Sequence, residues 1–166
     1  LSGNSSNPSL AVSATKLYAA WQNDGGNDDI YFASATNGLT AFSAPVNVSN
    51  MTGDSVRPTM AYDATNGVIY LAWQDSNSGN QEIWMAVSNN DGTSWTSPIN
   101  VSAAATGAYW PDFAALISSS GWDLLWTEGS AAPYTIKFKN STGVVAAVSD
   151  SPGTFTPDYD TVTDYT

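Results

Sequence analysis

An all-β fold is predicted, built of propeller-type blades of four antiparallel strands in three repeats of about 50 residues, with an extra C-terminal strand. Three observations carry this. Apolar runs ending in Trp recur as "AAWQ", "LAWQ" and "LLWT", with Trp at 21, 73 and 126. A proline precedes each of them (Pro8, Pro58, Pro111), and a Gly-turn follows (Gly38, Gly92, Gly143).

The elements follow in the same order in each unit. A first strand carries the proline, and a second ends in the Trp. After a polar loop comes a third, "DIYFA", "EIWMA" or "TIKFK", and after the Gly-turn a short fourth, "APVNVS", "SPINVS" or "AAVSD". Alternation with β-branched and aromatic residues, as in "VIYLAW", identifies strands, and no stretch longer than ten residues has helical spacing. The units run over about 7–57, 58–110 and 111–150, leaving 151–166 as a tail. A β-sandwich with coincidental strand similarity is the competing architecture, but sandwiches rarely keep turn, Trp and Pro spacing through three units.

Composition bounds the function. Only 11% of the residues are charged, and four cations face fifteen acids for a net charge of −11. That balance repels phosphate backbones, so no nucleic-acid partner is expected. No apolar run reaches the length of a membrane span, so no membrane insertion is expected. Without Cys or His, the chain lacks disulfides, thiol nucleophiles and imidazole bases. Chemistry is left to carboxylates, Tyr, Lys and hydroxyls.

The stretch "SNNDGTSW", Ser88 to Trp95, resembles the Asp-box of sialidase-like (BNR) propellers, whose pattern is Ser, any, Asp, any, Gly, any, Thr, Trp. Ser88, Asn90, Asp91, Gly92 and Trp95 are its members here, with Asn90 in place of Asp and Ser94 in place of Thr. "SATNGLTAF" holds a degraded copy through Ser34, Gly38 and Phe42. The residue types suit a structural turn: Asn accepts backbone N–H bonds, Gly takes positive φ, and Trp packs beneath. In that family the boxes join the third and fourth strands on the face opposite the active site, so the resemblance marks scaffold.

The same resemblance speaks against sialidase chemistry. Those enzymes clamp a carboxylate with three arginines and use a Tyr nucleophile helped by Glu. This chain has one arginine, Arg57, whose setting before Pro58 resembles the family's Arg-Ile-Pro motif without the Ile. A bidentate clamp needs convergent guanidinium groups, so a non-catalytic member, not an enzyme, is expected.

Paired carboxylates would suffice for another glycosidase. Loop ends offer Asp75 with Glu82, and Glu128 with Thr135. The alternatives for these side chains are capping of their own hairpins or holding a cation, with structural calcium as the one cofactor considered. Strand direction places Arg57, Trp110, Asp112, Asp75, Glu82 and Glu128 on one surface, where an aromatic platform beside acids would suit a sugar.

Closed propellers usually need four or more blades, and the tail "GTFTPDYD" echoes "GAYWPDF", with Thr156 and Pro157 matching Trp110 and Pro111. The expectation is a homo-oligomer or polymer assembled through blade edges and the tail, working as an extracellular surface or filament subunit. A carbohydrate-binding module with glycan partners is the alternative, and an excerpt of a longer propeller would also explain the tail. Sequons at Asn4, Asn47, Asn50, Asn100 and Asn140 are the glycosylation candidates, although a chain this rich in Asn, Ser and Thr produces several by chance.

Overall fold

A computed structural model describes residues 1–38, 41–114 and 121–143 and the strand at 145–147. The fourth-unit echo at 151–166 lies outside them. Twelve strands form three four-stranded antiparallel sheets among the described residues. Blade 1 is β1 (Ser5–Val12), β2 (Lys16–Asn23), β3 (Asp29–Thr36) and β4 (Val46–Asn47). Blade 2 is β5 (Ser55–Asp63), β6 (Val68–Asp75), β7 (Glu82–Ser88) and β8 (Ile99–Asn100). Blade 3 is β9 (Ala108–Phe113), β10 (Asp123–Glu128), β11 (Thr135–Asn140) and β12 (Val145–Ala147). The four-stranded blade of the sequence prediction is therefore present three times.

Blade 2 shows why its strands are apolar on both faces. Ile69, Leu71 and Trp73, all fully buried, pack toward blade 1 with Tyr18, Ala20, Ile30 and Phe32. The alternate residues Tyr70 and Ala72 join Ile83 and Met85 against Leu124 and Trp126 of blade 3. A strand sandwiched between sheets cannot alternate apolar with polar.

Turns follow from local chemistry. Asp63 Oδ1 accepts the N–H groups of Thr65 and Asn66, and its Oδ2 accepts from the Asn66 amide, closing the β5–β6 hairpin. Ser49 and Ser102 each accept a core N–H, from Ile30 and Ile83 respectively, at 2.9 Å. Asn47 and Asn100 accept the N–H of the residue three further on, Asn50 and Ala103. Their matching registers are thus accounted for by a repeated turn.

The Ser88–Trp95 turn joins β7 to β8, the third and fourth strands of blade 2. Ser88 Oγ accepts the Gly92 N–H at 2.9 Å, and Asn90 Oδ1 accepts the Ser94 N–H at 3.0 Å. Asp91 points to blade 1, where its carboxylate takes Lys16 Nζ at 2.9 Å and the Tyr18 hydroxyl at 2.6 Å.

That contact makes the blade 1–blade 2 seam pH-sensitive at both ends of the scale. Burial, reinforced by the bond to Asp91, pushes the Tyr18 phenol from 10.0 up to about 12. Its neutral form is favoured in the fold, so the stabilisation is complete below about pH 10 and disappears as pH rises toward 12. The Lys16 and Tyr18 bonds hold the Asp91 carboxyl below its ordinary value of 3.8. This contribution is present above that value and disappears as pH falls through the folded one. Thermal melts of Tyr18→Phe and Asp91→Asn should show a flattened alkaline and acid limb, respectively; unaltered limbs would remove this seam from the pH response.

Candidate functional site

Each blade's innermost strand breaks register at one place: between Ser6 and Ser9, between Val56 and Thr59, and, where β9 meets β10, opposite Leu125 to Thr127. The residue before the proline adopts a left-handed backbone there, with φ of 49° at Asn7, 55° at Arg57 and 53° at Trp110. Steric crowding by proline disfavours compact backbone in its predecessor, and such strain persists only where surroundings enforce it. Bulges of this kind re-aim a side chain.

The enforcing group comes from the preceding blade. Gln22 Oε1, one residue past Trp21, accepts the Arg57 N–H at 3.4 Å and the Asn7 amide at 2.7 Å. Gln74, one residue past Trp73, accepts the Trp110 N–H at 3.3 Å. Sequence reasoning used the Trp of these dipeptides and overlooked the Gln. The repeated "AWQ" was the available signal.

The bulges aim Asn7, Arg57 and Trp110 outward onto one rim, all three exposed. The Arg57 guanidinium lies 5.7 Å from the Trp110 ring centroid, over its face. Tyr109 and Tyr134 complete an aromatic group around Trp110, with centroids at 5.6 and 5.9 Å, and Tyr134 meets it edge-on at 90°. Trp110 is 47% exposed, so it is not a core residue. Sequence reasoning missed Tyr134, which ends the loop before the third strand of blade 3, where the other units carry Asp28 and Gln81.

Below that rim, Thr59 and Asp112 occupy equivalent places on neighbouring inner strands. Thr59 Oγ1 donates to Asp112 Oδ1 at 3.3 Å, and the Asp112 side of the pair is exposed. Glu128 sits at the upper end of β10, half-buried, and one of its oxygens accepts the Trp126 indole N–H at 3.2 Å.

Asp75 and Glu82 do not join this surface group. They face each other across the β6–β7 pair, both buried. Asp75 Oδ2 accepts Ser55 Oγ at 2.5 Å and Trp73 Nε1 at 3.2 Å, while Oδ1 accepts the Asn77 N–H at 2.7 Å. Glu82 is bonded by Ser78 Oγ. With its lone pairs committed to the hairpin, Asp75 is a structural carboxylate. Among the described residues no group of three or more acids is arranged to hold a metal ion.

No protein-family model matches the chain, and no curated protein matches it. Solved structures do. One is a GH130 structure, from a family of mannoside phosphorylases containing glycoside hydrolases that target β-1,2 mannosidic linkages in Candida mannan, at 13% identity and TM-score 0.62 over 90% of this chain and 50% of that one. Another is the α-L-arabinofuranosidase PaAbf62A of Podospora anserina, at 11% identity and TM-score 0.55 over 83% and 46%. A third is GH43B of the Bacteroides ovatus xyloglucan PUL, at 18% identity and TM-score 0.61 over 90% and 30%.

This chain therefore spans half or less of the length of these structures. The propeller architecture expected from the sequence is shared with these glycoside-hydrolase propellers. One expectation is corrected by them. The expectation of a chain that is no enzyme, drawn from the missing arginine triad, is corrected because the structural neighbours include glycoside hydrolases, at low sequence identity. What the likeness establishes is the fold, an all-β arrangement of propeller blades of the kind that glycoside hydrolases use.

Proposed function

We propose that this chain is part of a carbohydrate-active propeller that binds a glycan on the inner-strand rim and cleaves a glycosidic bond there. The observation that carries the reading is the exposed Trp110 face, stacked by Arg57 and flanked by Tyr109 and Tyr134. Aromatic faces pack on the C–H face of a sugar ring, and the surrounding polar groups fix its hydroxyls. The glycoside-hydrolase character of the structural neighbours supports a glycan as the ligand.

Glycoside hydrolysis requires two carboxyl groups, one donating a proton to the leaving oxygen and one acting as base or nucleophile. Asp112 and Glu128 are our candidates, because Asp112 is exposed and Glu128 half-buried whereas Asp75 and Glu82 are buried and hydrogen-bonded. Reducing-sugar release from mannan, arabinoxylan and xyloglucan tests the activity. Asp112→Asn and Glu128→Gln should each lower it by about 100-fold or more, while Glu82→Gln should not act on the chemical step. Titration of the matching oligosaccharides against tryptophan fluorescence tests the binding, and Trp110→Ala should weaken it by about tenfold. Saturable binding that is indifferent to Trp110 would remove this rim from the reading.

A further inference from the structure

We infer that Asn37 is a site of spontaneous covalent modification, its carboxamide converting through a cyclic imide to aspartate and isoaspartate, and that the fold withholds the same reaction from Asn66. The tetrapeptide Ala-Thr-Asn-Gly occurs twice, at 35–38 and at 64–67, and these hold the two Asn-Gly pairs of the chain. The reaction brings the backbone nitrogen after Asn onto the side-chain carbonyl carbon, and Gly, with no Cβ, crowds that approach least. The sequence around the reacting groups is thus the same at both places. Both asparagines are exposed, and both glycines have open space around them, with φ of +82° and +68°. Room does not separate the two sites; hydrogen bonding and charge do.

At Asn66 the reacting groups are tied down. Its N–H donates to Asp63 Oδ1 at 3.1 Å, its side-chain amide to Asp63 Oδ2 at 2.7 Å, and the Gly67 N–H to the Asp63 carbonyl at 2.8 Å. The nitrogen that would attack therefore has its proton engaged. Donation by the Asn66 amide also holds the buried Asp63 carboxyl below its ordinary 3.8, so a full negative charge stands beside Asn66 at neutral pH. That charge opposes both loss of the Gly67 proton and build-up of negative charge on the carboxamide oxygen. Reaction here first requires the turn to open and break these bonds together.

At Asn37 the side-chain amide donates instead to two neutral backbone carbonyls, of Ala14 at 3.2 Å and Ser13 at 3.5 Å. Among the described residues nothing accepts the Gly38 N–H, and no carboxylate bonds Asn37. The Gly38 nitrogen, giving its proton to solvent, forms a bond to Asn37 Cγ; the Cγ–Nδ2 bond breaks, and Nδ2 takes a proton from solvent and leaves as ammonia. Water then opens the imide at either carbonyl, giving aspartate or, with the backbone rerouted through Cγ, isoaspartate. Either product exchanges an amide donor for a carboxylate, which cannot donate to the Ala14 and Ser13 carbonyls, so the clasp between Asn37 and the β1–β2 turn is lost. This lies at the far end of blade 1 from the glycan rim, since β2 pairs Lys16 with Thr36 at one end and Gln22 with Ser6 at the other.

The test follows both asparagines in one sample. The full chain is held folded in mildly alkaline buffer, sampled over time and digested with chymotrypsin, and mass spectrometry reads the exchange of ammonia for water in the peptides carrying Asn37 and Asn66. In the folded chain Asn37 should convert at least about tenfold faster than Asn66. In urea the two rates should converge, because the identical tetrapeptides are then equally free. Equal rates in the folded chain overturn the inference, as does faster conversion at Asn66 or a difference that survives unfolding.

Discussion

Replacing Trp73 by alanine should lower the unfolding free energy by about 3–5 kcal/mol, enough to threaten folding at moderate temperature. The indole is fully buried between blades 1 and 2, in the cluster that holds Tyr18, Phe32, Ile69 and Leu71. Its loss leaves a cavity that sheets pinned by backbone ladders cannot collapse to fill. It also removes the N–H that Asp75 accepts at 3.2 Å, leaving a buried carboxylate with one partner fewer. Chemical denaturation measures the loss, and Trp21→Ala is the internal control. Trp21 occupies the same place in its blade but is only half-buried, so its substitution should cost much less. Equal losses at the two positions would contradict the inter-blade account.

Gly92→Ala is the second large effect, with an expected destabilisation of about 3 kcal/mol from two sources. Gly92 has φ of +80°, a backbone that costs an L-residue about 1–2 kcal/mol. A Cβ there would also lie 2.0 Å from Phe32 Cε1, inside the ring's contact radius. Phe32 cannot yield cheaply, because it is 1% exposed and meets Trp95 edge-on at 5.0 Å. The turn thus packs against the blade 1–blade 2 seam, so the variant should lose cooperativity between those blades as well as midpoint. Gly38→Ala, with φ of +82° and open space around the position, isolates the backbone share of the cost. A Gly92 variant no worse than the Gly38 one would mean that Phe32 moves aside freely.

Much of this was legible because the chain states its unit three times. Trp21, Trp73 and Trp126 announced the blade, and the β-branched and aromatic residues of "VIYLAW" announced a strand. Arg57 and Trp110 could be placed on one surface because strand direction alone decides which ends share a face. Asp75 and Glu82 could not be separated from Asp112 and Glu128 by type or spacing. Burial separates them, and burial depends on which loop folds inward over its own amides. Tyr134 escaped notice since the matching place before the third strand is held by polar residues, Asp28 and Gln81, in the other units. The catalytic question was misread for another reason: the missing arginine triad speaks against sialidase chemistry alone, and acids able to serve another glycosidase look in sequence like acids that cap a hairpin.

The caps on the rim have an evolutionary consequence. Gln22 and Gln74 grip the backbone N–H of the following bulge, and a backbone N–H is the same whatever side chain its residue carries. Asn, Arg and Trp occupy that single strained position in successive blades with φ values within a few degrees of one another. Mutation can therefore exchange the outward group at one blade while the strand path stays fixed and the neighbouring blades go undisturbed. Ligand preference becomes a property that can drift blade by blade, as interchangeable letters set into an unchanging line of type.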